Sequence, residues 1–199
     1  LTAGEIFAVA ARSSDSYRFI PLLWAALATL IGGTLAAFAW PLVSGTVSQG
    51  WGENAAGVSA QALALGQIAV FVCLALLTLV PAVRLALVPK PVQFARCRRH
   101  ATEQFLAHNL HVTEARTGVL IFVSMAERFA TILADEGIAE HVDDAVWAEI
   151  VEDLIARITE GDLAGGFEAA IAACGAVLAE HVPPGVMSEN ELPDRLVEI

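Results

Sequence analysis

Hydrophobic and polar positions along this chain fall into three regimes. Glu5-Ile-Phe-Ala-Val-Ala-Ala11 is a short apolar run closed by the polar cluster Arg12-Ser-Ser-Asp-Ser16, the pattern of a buried strand entering a turn. Beyond it, no Asp, Glu, Lys or Arg occurs from Phe19 to Gly52, nor from Asn54 to Val83. Each run supplies about 20 apolar residues, enough to cross a hydrocarbon layer of roughly 30 Å. Backbone at that depth must satisfy its own hydrogen bonds, so both runs are predicted as helices, over about 19–43 and 62–88. Trp24 and Trp40 near the two ends of the first run match the aromatic belts of a membrane span, and Pro81 should loosen the last turns of the second. The link Ser44–Gln61 holds four glycines, one Glu and no basic residue, a composition that predicts a short exposed loop. Gly32, Gly33, Ala36 and Ala37 on the first span and Ala62, Ala64, Gly66 and Ala69 on the second predict close packing through small side chains.

The third regime is that of a folded α/β domain. Phe94, Cys97, Ala101, Phe105 and His108 recur every three or four residues, predicting an amphipathic helix over about 93–109. Val119–Val123 is uninterrupted and apolar, as for a central strand covered on both faces. A turn at Met125–Arg128 leads to a hairpin partner over Phe129–Ala134. Asp143 or Asp144 caps a helix whose stripe is Trp147, Ile150, Val151, Leu154, Ile155 and Ile158, ended by Gly161. Asp162 starts another, with Phe167, Ile171, Cys174 and Leu178 on one face, stopped at Pro183-Pro184-Gly185. The chain therefore divides into a first strand segment at 1–17, a transmembrane hairpin at 18–90, and the remainder of an α/β domain at 91–199. It opens on Leu1, and residues 1–17 carry no charged-then-apolar leader, so further residues are expected upstream.

Composition sharpens this picture. Mean hydropathy is +0.63 and 56% of the residues are hydrophobic, values raised by the two long runs. Residues 1–100 carry seven Lys+Arg and three Asp+Glu, while residues 101–199 carry four and nineteen, balances of +4 and −15 that give the net −11. An acidic half of this kind repels nucleic acid and anionic headgroups, which removes both as its partners. Arg12, Arg18, Arg84, Lys90, Arg96, Arg98 and Arg99 flank the spans, and the intervening loop has no basic residue. That asymmetry predicts both ends in the cytoplasm of a multi-pass inner-membrane protein. Cys73, Cys97 and Cys174 form no CxxC pair and read as reduced thiols.

Arg116-Thr-Gly-Val-Leu-Ile-Phe-Val-Ser124 resembles the TPM-domain family. The likeness continues through Ala126-Glu-Arg128, Ala134-Asp-Glu-Gly-Ile138, the Trp147 helix and Gly165-Gly166 with Ala170-Ile171. Asn190-Glu-Leu-Pro-Asp194 is similar to the tail of a bacterial predicted-membrane-protein subgroup. The resemblance implies a small α/β/α sandwich, with Gly4–Ser16 as its first strand and the two-helix hairpin inserted after that strand. It also implies that calcium binding or weak acid phosphatase activity, reported for some relatives, be considered. Where many members have an acidic or Asn residue before the Gly of the G-V-L strand, this chain has Thr117, which withholds an oxygen-rich ligand from a hard cation.

Candidate chemistry is sparse. Glu127, Asp135 and Glu136 at strand ends, with Asp162 or Asp143 in addition, are the carboxylates from which a metal site would be built. The alternative is a solvated turn in which Glu127 and Arg128 form an exposed ion pair. His100, His108, His111, His141 and His181 form no HExxH, and no G-x-S-x-G, P-loop or dinucleotide pattern occurs. Gly165-Gly166 either admits an anion or permits close helix packing, and packing is the commoner use. No catalytic residue and no cofactor-binding residue is assigned. The expected function is an accessory or scaffold protein of the bacterial inner membrane, its partners the lipid bilayer and a protein partner or a second copy. The alternative is a metal-dependent, phosphatase-like hydrolase.

Overall fold

A computed structural model describes residues 4–51, 60–112, 116–181 and 196–199. The chain forms two compact units, one of residues 1–16 and 90–199 and the other of residues 17–89.

The first unit is built on a four-stranded sheet of β1 (Glu5–Ala11), β2 (Gly118–Ser124), β3 (Phe129–Ala134) and β4 (Leu196–Glu198), in the order β3-β2-β1-β4. β1 runs parallel to β2, Glu5 opposite Gly118 and Ala11 opposite Ser124, and parallel to β4 on its other side. β3 closes an antiparallel hairpin with β2. The apolar run at 5–11 thus becomes a central strand although its β2 partner lies more than a hundred residues away. The end of the chain returns to the domain, because Leu196 and Val197 pair with Ala8 and Val9. The predicted stop at Pro183-Pro184-Gly185 and the tail from Ser188 to Arg195 lie outside the described residues.

Side chains alternate across each strand, and the two faces gather different helices. Phe7, Val9 and Ala11 with Leu120 and Phe122 point to α4 (Lys90–Ala107), where Ala101 and Phe105 meet them. Ala8 and Ala10 with Val119, Ile121 and Val123 point the other way, to α6 (Asp144–Thr159) and α7 (Leu163–His181). Trp147, Ile150, Leu154, Phe167, Ala170, Cys174 and Leu178 complete that core. The result is an α/β/α sandwich. A four-residue helix, α5 (Glu136–Ala139), follows β3 and buries Ile138. Three stripe positions move relative to the periodicity. Phe94, Ile155 and Ile171 are exposed, and Ala170 takes the inward place expected for Ile171.

Gly118 explains one motif position. A Cβ there would lie 2.3 Å from the Leu110 carbonyl oxygen, so the backbone that follows α4 approaches β2 too closely for any side chain. Gly166 serves packing, since its Cβ would meet Leu154 at 3.2 Å where α7 crosses α6.

The second unit pairs α1 (Phe19–Trp51) with α2 (Ala60–Leu77), followed by a short α3 (Pro81–Ala86). Helix α1 continues past Val43 through residues expected to form loop. No proline interrupts Ser44–Trp51, and Gly45 and Gly50 each cost only about 1 kcal/mol against alanine; the rest of that loop, 52–59, lies outside the described residues. The second helix ends at Leu77 rather than near Val88. Pro81 cannot donate a hydrogen bond to residue 77, and it opens α3 at N1 instead.

The seam between α1 and α2 meets the small-residue expectation on α1 at Gly33 and departs from it on α2. Pro21, Ala25, Thr29 and Gly33 face inward at four-residue spacing, and Leu63, Gln67, Phe71 and Leu74 answer on α2. Gln67 Nε2 donates to the Thr29 carbonyl at 3.2 Å, and Gly33 makes room for that amide, because a Cβ there would lie 2.5 Å from Nε2. Gly32, Ala36, Ala37, Ala62, Ala64 and Ala69 point outward, and a Cβ at Gly66 would meet only open space. A small-residue stripe of Ala25, Thr29 and Gly33 on α1 therefore meets larger side chains on α2, with one polar bridge between them.

Among the described residues, Phe19–Ala39 and Leu163–His181 are long and apolar enough to cross a bilayer, and Gln61–Leu77 is a shorter apolar helix. Leu163–His181 is α7, whose inward stripe belongs to the sandwich core and whose outward face carries Glu168 and Glu180. Helix α1 carries no charge on its outward face. Leu30, Ile31, Leu35 and Phe38 are all more than half exposed.

Candidate functional site

Strands β1 and β2 end side by side, and the polar cluster after β1 folds across the β2–β3 turn. Met125 N donates to the Ala11 carbonyl at 2.9 Å and Ala126 N to the Arg12 carbonyl at 3.0 Å. This stitching carries Glu127 inward, where it is fully buried. Its Oε1 accepts from Ser13 Oγ and from the Ser14 backbone N–H, both at 3.1 Å. Its Oε2 accepts from Ser124 Oγ, whose oxygen in turn accepts from Ser14 Oγ at 2.9 Å. A buried carboxylate without donors would be costly, and here three donors converge on it. Glu127 therefore closes the turn onto the end of β1, and the exposed ion pair with Arg128 does not form. Arg128 sits at φ 53°, outside the buried network.

On the α4 side of Ser14 lies a polar cleft of about 230 Å³ lined by Ser14, Asp15, Arg96, Arg99, His100 and Glu103. Arg96 Nη1 meets Asp15 Oδ2 at 2.8 Å, and Arg99 Nε meets Glu103 Oε1 at 2.8 Å. The His100 ring stands edge-on to Phe122 with centroids 5.5 Å apart, and its Nε2 lies 3.2 Å from Gln104 Nε2. The cleft lies at the carboxyl ends of parallel strands, where open α/β sheets hold ligands. Its two arginines and two carboxylates are matched in number and pair with one another.

The other carboxylates lie elsewhere. Asp135 and Glu136 follow β3, at the opposite end of the hairpin from Glu127. Asp135 Oδ1 accepts from Glu136 N at 2.8 Å as the cap of α5. Arg116 pairs with Glu136 and reaches Asp135 Oδ2 only at 3.9 Å, too long for a hydrogen bond. Thr117 is buried at this same end, one residue before β2 begins. A residue there is a strand's length, about 20 Å, from Glu127, so its identity has no bearing on the Glu127 end. Asp162 accepts from Gly165 N at 2.9 Å at the start of α7, and Asp143 from Ala145 N at 3.0 Å at the start of α6. Each is a helix cap. Glu127, Asp135, Glu136 and Asp162 thus occupy three places rather than one. Among the described residues, no three His, Cys, Asp or Glu side chains form a metal-binding group. His108 rests on the Phe7 ring at 4.2 Å, and His141 Nδ1 lies 3.2 Å from the Gly137 carbonyl oxygen.

Sequence reasoning missed Ser13, Ser14, Ser124, Asp15, Arg96 and His100. The available signal was weak: a Ser-rich turn after an apolar strand, a Ser at the end of the next strand, and a polar face on α4. Nothing in one-dimensional spacing joins residue 14 to residue 127.

An α/β/α sandwich with a polar cleft at its parallel strand ends defines the class of this domain. The family model of the TPM domain matches residues 82–177, from α3 into α7, so this stretch is similar to that domain. Among solved structures, the NMR structure of BA42 protein from the psychrophilic bacterium Bizionia argentinensis is similar at 24% identity and a TM-score of 0.47, covering 51% of this chain and 70% of that one. Comparison with curated proteins gives no match.

Proposed function

We propose that this chain is an integral protein of the bacterial inner membrane, held by α1 and α2, whose TPM domain is a non-catalytic binding module for a protein partner on the cytoplasmic side. The observation that carries the reading is the outward face of the helix pair. Leu30, Leu35, Phe38, Leu65, Ile68 and Leu76 are each more than half exposed, with no charged side chain among residues 19–52 and 54–83. Water would not tolerate so continuous an apolar surface, whereas a bilayer core requires it. Helix α2, at 18 residues, spans about 27 Å, close to the hydrocarbon thickness. Seven basic residues flanking the spans and none in the link support cytoplasmic ends.

A binding role is supported over hydrolysis by the use of each carboxylate. Glu127 is occupied by three internal donors, and Asp135, Asp143 and Asp162 cap helices. The acidic surface of residues 101–199 favours a basic protein face as partner. The test is alkaline carbonate extraction of membranes from cells expressing the full chain, followed by cross-linking and co-purification. Retention in the pellet with a defined cross-linked partner released by salt supports the proposal. Release into the wash refutes the membrane reading, and turnover of phosphate esters by the purified protein refutes the non-catalytic one.

A further inference from the structure

Between Asp15 and Glu103 the sequence contains a single acidic residue, Glu53, and six basic ones. Two of these, Arg18 at the entry to α1 and Arg84 in α3, line one groove of about 480 Å³ in the helical unit. Its floor is apolar, formed chiefly by Leu22, Phe71, Leu76 and Leu79, and no carboxylate lines it. The ion pairs among the described residues use Arg96, Arg99, Arg116 and Arg157, and none uses Arg18 or Arg84. Phe71 lies partly inside the seam, while Leu22, Leu76 and Leu79 present 43%, 59% and 69% of their surfaces outward.

Two guanidiniums above an apolar trough call for an amphiphile with a negative head. A bare phosphate would leave the trough unfilled. A zwitterionic lipid would bring its ammonium group to a rim already positive. We propose that this groove binds an anionic glycerophospholipid of the bilayer, its phosphate held by Arg18 and Arg84 and an acyl chain laid along Leu22, Phe71, Leu76 and Leu79. Guanidinium forks match phosphate oxygens bidentately, and basic pockets between spans on the cytoplasmic side recognise lipid heads in this way. The acidic half of the chain repels such lipids, so the basic groove confines the contact to the helical unit. The proposal rests on the membrane reading above.

The experiment uses the full chain in nanodiscs containing equal phosphatidylglycerol and phosphatidylcholine, with retained lipid read by native mass spectrometry. The wild type should retain phosphatidylglycerol preferentially by about tenfold or more, and Arg18→Gln/Arg84→Gln should bring the ratio near parity. Arg98→Gln, an exposed residue of α4 outside the groove, should keep the preference. Leu76→Trp, which fills the trough and leaves both charges, should lower retention of phosphatidylglycerol, giving a second reading should the double variant fail to fold. Equal retention by the wild type, a preference that survives the double variant, or an equal loss in Arg98→Gln overturns the site. A protein that inserts stably yet shows no preference refutes the groove alone, whereas one released from membranes by carbonate refutes the membrane reading with it.

Discussion

At the scale of single residues, the fold depends on a few positions where geometry leaves no choice. Glu127 accepts from Ser13, Ser14 and Ser124 in a place without solvent, so removing its carboxylate leaves buried donors unpaired. Glu127→Ala should destabilise the domain by about 2–3 kcal/mol, read as a lowered unfolding midpoint in urea, while Glu136→Ala on the exposed surface should stay within about 0.5 kcal/mol. Equal, small effects would show that the buried network contributes little. The same geometry separates Glu127 from Asp135 by the length of the hairpin, so a single calcium ion bridging them is not expected. Calcium should leave the unfolding midpoint unchanged, and a rise abolished by either Glu127→Gln or Asp135→Asn would contradict this. Burial raises the Cys174 thiol from 9.0 to about 12. Because the folded state holds this proton more tightly, the contribution is complete below pH 9 and is lost as pH rises toward about 12. Cys174 should therefore resist alkylation at pH 8 in the folded protein and react after denaturation; rapid labelling of folded protein would place it outside the core.

At the scale of elements, the strands were the most legible part of the sequence. Glu5–Ala11 and Gly118–Ser124 are apolar without alternation because helices cover both faces, and that composition survives any amount of intervening chain. Helix existence was equally clear for α4, α6 and α7, where apolar spacing near 3.6 and the Asp143 cap agree. Helix ends and facing were not. Ile171 and Ala170 are neighbours on α7, and periodicity alone cannot say which of the two turns inward. Within α1 and α2 no position is charged, so no charged face exists to report orientation, and the bridge from Gln67 to Thr29 depends on which sides meet. The candidate cleft was the least legible, because Ser14 and Asp15 meet Arg96, Arg99 and Glu103 by tertiary packing and not by any spacing. Two expectations belong at this scale. Phe7→Ala, at the centre of the α4-side core, should cost about 3–5 kcal/mol and raise proteolysis of the domain. Gln67→Leu should weaken the helix pair only slightly, by about 0.6 kcal/mol, whereas Gly33→Val should separate the helices by forcing the Gln67 amide aside. Thermal unfolding in detergent, with a cross-link between the two helices as reporter, distinguishes these outcomes.

At the scale of the whole molecule, one chain carries two units with opposite demands on solvent. The sandwich buries its apolar residues inside two cores and turns its described carboxylates toward water or into caps and networks. The helical unit turns its apolar residues outward and leaves almost no charge along its length. On the proposed membrane reading, an even number of spans would return the chain to the side from which it departed, in keeping with the pairing of β1, ahead of the hairpin, with β2 beyond it. The most direct test of this arrangement is thiol labelling in intact cells. A cysteine introduced at Ser48, in the link side of α1, should react with a membrane-impermeant maleimide above the background of the unsubstituted chain. A cysteine introduced at Ser14, beside the buried carboxylate, should react only after the membrane is permeabilised. Labelling of the Ser14 variant in intact cells, with protection of the Ser48 variant, would contradict the proposed orientation, and equal labelling of both in a soluble fraction would contradict the membrane anchor itself.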